Sequence, residues 1–151
     1  LLNEYGKAVE YYDKASELDP SNIRALICKG DVVCKVKPEN AIYWYDAALD
    51  IDPKNVTALV KKAVAVQNLR SSHEAERILD DALEIDPNHV GALVCKANIV
   101  GEEDNDKALE LLDKALSIDP KNAFALESRR LALQMKSAED EISELKRQLD
   151  E

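Results

Sequence analysis

At 151 residues the chain has room for one small globular domain or a short run of repeats. Hydrophobic residues reach 46% while aromatics stop at 5%, so a core must be built from Ala, Leu, Ile and Val; 33% charged residues and only four glycines favour helix over sheet. A net charge of −10 argues against nucleic acid as a partner, because phosphate binding needs clustered Lys and Arg, and no apolar run approaches the roughly 20 residues that span a bilayer.

The first helix is predicted over about Asn3–Leu18 and closes on Leu18-Asp19-Pro20. The same close returns as Ile51-Asp52-Pro53, Ile85-Asp86-Pro87 and Ile118-Asp119-Pro120, with the prolines 33, 34 and 33 residues apart. Each proline ends a helix, since it cannot donate to the backbone ladder and pushes the residue before it out of the helical region. Two positions later Asn22, Asn55 and Asn122 stand where the next helix wants an N-cap, and His89 takes that place in the remaining unit. Three helical hairpins are thus predicted, at about 21–52, 54–86 and 88–119, followed by a last helix opening near Asn122. Ser71 with Glu74 three residues on reads as a capping box for one inner helix.

Other columns keep the same register. Ala8, Ala41, Ala75 and Ala108 form one; Tyr12, Tyr45, Leu79 and Leu112 a second; Ala15, Ala48, Ala82 and Ala115 a third. In the other half of the unit Leu26, Leu59, Leu93 and Leu126 align, each after an alanine, and Gly30, Ala63 and Ala97 make a small-residue column that lets two backbones approach. Spacings of 3, 4 and 7 within each half mark amphipathic helices. The divisions expected are 1–20, the second helix of a truncated repeat; repeats at 21–53, 54–87 and 88–120; and a C-terminal helix at 121–151. An opening inside a helix implies no cleavable leader, and one in mid-repeat is what a piece of a longer array would show.

A unit of about 34 residues with two helices, small residues at fixed columns and a closing proline resembles the tetratricopeptide repeat. The family's usual first-helix Trp is replaced by Leu and its Tyr by Val, which keeps burial but makes a more aliphatic core. The resemblance runs from Asn3 to about Leu133 and implies an all-α, α-α superhelix: a solenoid of antiparallel helical hairpins that binds protein.

The last segment departs from the repeat. Ala125, Leu126, Ala132 and Leu133 are expected to face the stack, but Arg130 stands in the small-residue column, leaving no room for a closely packed following helix. A second apolar seam runs Leu131, Met135, Ala138, Ile142, Leu145 and Leu149 with heptad spacing. Two arrangements fit: one continuous helix whose seam seeks a second copy of the chain, or a turn near Ser137 with the tail folded back.

Nothing in the chain composes a catalytic or cofactor site, and it reads as no enzyme. His73 falls at a hairpin turn and His89 at a helix start, neither spaced from a cysteine or carboxylate pair as a metal ligand would be. Glu102-Glu103-Asp104-Asn105-Asp106 lacks the spacing of a calcium loop and reads as a solvated turn that supplies an N-cap. Tyr43 and Trp44 read as helix surface beside the buried Tyr45. Cys28, Cys34 and Cys95 are odd in number and lack CxxC spacing, so they read as reduced thiols, no metal site, in a cytoplasmic setting.

By the same resemblance, partners lie on the first helix of each hairpin. The residues expected there are Ile27, Asp31, Val60, Lys61, Val64, Gln67, Val94, Asn98 and Leu131, with Ile27, Val60 and Val94 forming an apolar row. Self-association would use Met135, Ile142, Leu145 and Leu149. The function expected is a protein–protein interaction scaffold taking a peptide or helix; the alternatives are an assembly module joined through the C-terminal helix and a targeting domain of a larger enzyme. Chaperone-tail receptors of this family carry a basic cluster in the groove, and here only Lys61 stands at a comparable place.

Overall fold

The structure, a computed structural model, describes residues 2–149, with side chains described from Gly6 to Gln148. Among these residues there are eight helices and no strand. They are α1 (Leu2–Leu18), α2 (Ile23–Cys34), α3 (Pro38–Ile51), α4 (Val56–Asn68), α5 (Ser72–Ile85), α6 (Val90–Val100), α7 (Asn105–Ile118) and α8 (Ala123–Leu149). The chain forms two compact units, Leu1–Pro87 with α1–α5 and Asn88–Glu151 with α6–α8.

The Asp-Pro turns after α1, α3 and α7 are built alike. The carboxylates of Asp19, Asp52 and Asp119 accept the backbone N–H two residues on, at 3.0, 3.1 and 3.3 Å. Asn22, Asn55 and Asn122 then accept from the N–H of Ala25, Ala58 and Ala125 at 2.9–3.0 Å. His89 caps α6 through Nδ1, which accepts from Ala92 N–H at 3.1 Å. Each such cap satisfies one orphan donor, worth about 1 kcal/mol. Asp104 does the same for α7, accepting from Lys107 N–H at 3.0 Å.

The expected capping box at Ser71 does not form: Ser71 makes no side-chain cap bond. Its ψ is 60°, against 85–102° at the working caps, so the hydroxyl is not aimed along the helix start. The turn is closed by backbone instead. Arg70 takes φ 62°, its N–H donating to Gln67 O at 2.8 Å, and Ser71 N–H donates to Val66 O at 3.3 Å.

In the first unit α1 packs on α2, α2 on α3, α3 on α4 and α4 on α5, with a lesser α2–α4 contact. The alanine columns are the floor of this packing: Ala41, Ala48, Ala58, Ala63, Ala75 and Ala82 are all fully buried. Tyr45 fills the space over Gly30, where a Cβ would stand 2.5 Å from ring carbon Cε1. In the second unit α6 packs on α7, α7 on α8, and α6 lightly on α8, around Ala92, Leu93, Ala108, Leu112, Ala115 and Ala125. Successive hairpins are also tied by ion pairs from a second helix to the next first helix: Asp13–Lys29, Asp46–Lys62 at 2.6 Å and Asp113–Arg129 at 2.6 Å. Lys29 is buried there, with its ammonium 3.4 Å from the centre of the Trp44 ring, a cation–π contact. Trp44 is half-buried and meets Tyr43 edge-on.

α8 is one helix through residue 149, so the tail does not fold back. Of the residues expected to face the stack, Ala125 and Ala132 are buried, but Leu126 and Leu133 are exposed by 49% and 43%. They look toward the place a following helix would occupy, and the continuous α8 supplies none. Arg130, in the small-residue column between them, lies on the surface bonded to Glu127 at 2.6 and 2.9 Å and to Gln134 at 3.0 Å.

Candidate partner-binding site

The apolar row Ile27, Val60 and Val94 is core. These side chains keep 8%, 8% and 6% of their exposure, because each packs beneath its neighbours beside the alanine columns. The residues around them are the ones that reach the surface. In the first unit Asp31, Lys61, Val64 and Gln67 are half-buried; in the second, Asn98 and Leu131 are exposed.

Three of these, Asp31, Lys61 and Val64, come together over an open hollow of about 450 Å³ between α2 and α4, completed by Cys34, Lys35, Tyr45 and Asn68. Gln67 stands on α4 outside that lining. Asp31 is the centre of the hollow's polar network: Oδ1 accepts from the Tyr45 hydroxyl at 2.9 Å and Oδ2 from Lys61 Nζ at 2.9 Å. Burial, and then the bond to Asp31, raise the Tyr45 phenol above its ordinary range. Burial first and the Asp31 charge second raise the Cys34 thiol. Lys61 therefore holds a neighbouring carboxylate, and the hollow is not the field of unpaired cations that an acidic tail needs.

The second unit has a hollow of about 180 Å³ in the same register. Every residue lining the first has a counterpart lining the second, 67 positions on: Asp31 with Asn98, Cys34 with Gly101, Lys35 with Glu102, Tyr45 with Leu112, Lys61 with Ser128, Val64 with Leu131 and Asn68 with Met135. The charge pair has become Asn and Ser, and the Tyr and Asn have become Leu and Met. One place in the repeat thus carries two chemistries, ionic and hydrogen-bonding in the first unit, largely apolar in the second. At the apolar hollow Asn105 is buried, its Nδ2 donating to Glu139 Oε1 at 2.9 Å while its Oδ1 accepts no bond. Gly101 lets α6 close on α7 beside it, since a Cβ there would stand 3.0 Å from Ala97 O and 3.2 Å from Ala108 Cβ.

Sequence columns alone did not bring out Lys35, Asn68 or Asn105, and gave Met135 only as a self-association residue. The signal was present as the two-repeat interval, read on the turn-proximal ends of the first helices as well as their middles. The self-association residues Met135, Ile142 and Leu145 are exposed by 52–53%, and the side chain of Leu149 lies outside the described residues. Cys28, Cys34 and Cys95 form no disulfide. Among the described residues no group of three His, Cys, Asp or Glu side chains is placed to hold a metal, and no helix is long and apolar enough to cross a membrane.

Comparison with known proteins agrees with this architecture. The tetratricopeptide repeat profile matches residues 1–22 and 101–122. No curated protein matches the chain by sequence. Among solved structures, TTC0263, a thermophilic TPR protein of Thermus thermophilus, is similar with a TM-score of 0.79 at 17% identity, covering 88% of this chain and 75% of that one. YrrB, described as a TPR protein with an unusual peptide-binding site, gives 0.63 at 26% identity, over 90% of this chain and 71% of its own. The first TPR domain of Spaghetti (RPAP3), solved with an HSP90 peptide SRMEEVD, gives 0.69 at 21% identity, over 79% and 96%. Repeating columns, paired helices, profile matches at both ends of the array and the shared fold together show a solenoid of the tetratricopeptide-repeat type.

Proposed function

We propose that the chain is a protein-interaction scaffold that takes a peptide or helix of a partner along the first helices of its hairpins, with Asp31, Lys61, Val64 and Gln67 as the contacts on α2 and α4. The observation that carries this reading is the hollow between those helices. It offers a paired charge, a phenol hydroxyl and a half-buried valine in one concavity, the mix of apolar area and few fixed polar groups that segment recognition uses. Two of the similar structures are described as peptide-binding, which supports the class but not the ligand. The acidic HSP90 peptide is not the expected ligand here, because Lys61 is engaged by Asp31. Asn98 and Leu131 give the second unit a largely apolar subsite.

The test is selection from a displayed library of random peptides against the whole chain, followed by titration of the enriched sequences. Val64→Glu and Lys61→Glu are expected to weaken those peptides tenfold or more with helicity unchanged; Glu110→Lys, on exposed α7 surface, is expected to leave them alone. Peptides that bind all variants equally would remove the assignment. Val60 and Val94 are unsuitable probes, since a carboxylate in those buried places would unfold the protein.

A further inference from the structure

We infer that a second copy of this chain pairs with α8, parallel and in register, along Met135, Ala138, Ile142 and Leu145. The inference does not rest on the peptide-binding reading: it uses no residue of the hollow between α2 and α4, though Met135 and Leu131 of the seam also line the second unit's hollow.

The first turns of α8 are held by their own unit: Ala125 and Ala132 are buried, Lys136 pairs with Asp106, and Glu139 accepts from Asn105. From Ser137 to Gln148 every residue is exposed. A helical stretch of that length is marginal in water by itself, and most helical stability in proteins comes from packing an apolar face. This stretch carries such a face, with Ile142 and Leu145 exposed by 52% and 53% and Met135 by 52% at its root.

The spacing assigns Met135 and Ile142 to one core position of a heptad and Leu131, Ala138 and Leu145 to the other. Isoleucine at the first and leucine at the second is the combination that suits two parallel strands. The flanking positions then hold Gln134 and Glu141 on one side and Glu139 and Lys146 on the other. In a parallel pair each residue of the first set faces the residue five places on in the partner. Glu141 meets Lys146 of the partner subunit, and Gln134 meets the partner's Glu139, with no like charges opposed. An antiparallel pair over the same seam sets Glu139 against the partner's Glu139 and Glu141 against the partner's Glu141. Sliding that pair by a heptad avoids the repulsion but forfeits Leu131 and Met135 in one direction and sets Leu145 against Ser128 of the partner subunit in the other. The charges therefore select the parallel arrangement. From Met135 to the end of the seam the overlap is about 20 Å at 1.5 Å per residue, so the pairing is concentration-dependent rather than permanent.

Sedimentation and light scattering of the whole chain over rising concentration test this. The weight-average mass is expected to climb from one chain toward two between about 10 μM and 1 mM, the range of a short helix pair. Ile142→Asp should abolish the rise, Glu141→Lys and Lys146→Glu should each weaken it about tenfold, and the double charge swap should restore it. Helicity by circular dichroism at about 1 μM, where the parent is also a single chain, should be the same in all four. A mass that stays at one chain throughout overturns the inference. So does Lys146→Glu without effect, the result an antiparallel register gives, or a double swap that fails to recover.

Discussion

The ring of Tyr45 lies so close to Gly30 that a methyl group on that α-carbon would stand 2.5 Å from Cε1 and 2.9 Å from two further ring carbons. The same two columns hold Ala63 with Leu79 and Ala97 with Leu112, so a smaller residue on one helix accompanies a larger one on the other. Gly30→Ala gains helix propensity of about 1 kcal/mol but forces the ring out of place, and is expected to destabilise by roughly 1–3 kcal/mol net. Tyr45→Leu, which loses the ring and its bond to Asp31, should cost about 2 kcal/mol. The double variant recreates the pairing of the later repeats. In urea unfolding it should recover about 1–2 kcal/mol relative to the summed singles, and simple additivity would contradict the account.

Tyr45 also sets an alkaline limit. Its phenol is raised, by burial first and then by Asp31, so the folded state keeps a proton that the unfolded chain releases above about pH 10. Below that pH both states are protonated and the group adds no dependence. Above it stability falls with pH, by up to about 1.4 kcal/mol per unit for this one group. Tyr45→Phe is expected to flatten the fall; melting temperatures from about pH 8 upward give the comparison.

Much of this fold can be read in one dimension. A helix pair that repeats must present the same residue sizes at the same interval, so the alanine columns, the closing prolines and the Asn caps all declared themselves. The burial of the row Ile27, Val60 and Val94 is not legible in the sequence, for a physical reason. Its period says that each residue faces the same environment, and says nothing about whether that environment is wet. Leu126 and Leu133 erred the other way: they carry the repeat pattern, but the helix that would cover them is replaced by the continuation of α8. The ion pairs from Asp13, Asp46 and Asp113 were also in register, and charged columns can be found by the same periodic test as apolar ones.

The caps can be checked where the sequence varies them. His89→Ala should cost about 1 kcal/mol, as should Asn55→Ala, because each strips an acceptor from the first turn of a helix. His89→Asn installs the side chain used at the other three turns and should keep the stability. A His89→Ala variant as stable as the parent in thermal unfolding would show that Nδ1 contributes no cap.

Arg70 holds a positive φ of 62° between α4 and α5, a conformation that costs an L-residue roughly 1 kcal/mol or more. Arg70→Gly relieves it, and a gain of about 0.5–1 kcal/mol in urea unfolding is expected after the greater freedom of glycine in the unfolded chain is counted. A loss of stability would mean that the arginine side chain contributes more than its backbone costs.

The pairing of an acid on one helix with a base sixteen positions later has a consequence for how the molecule could be shortened. Excising residues 54–87 joins Pro53 to Asn88 and leaves Asp46 the same sixteen positions from Lys96 that now separate it from Lys62. The turn chemistry survives the cut, since Asp52 and Pro53 then precede His89 as Asp86 and Pro87 do now. A chain spliced this way keeps the acid–base spacing and the turn sequence at its new junction, which makes the hairpin the unit in which length can be added or removed.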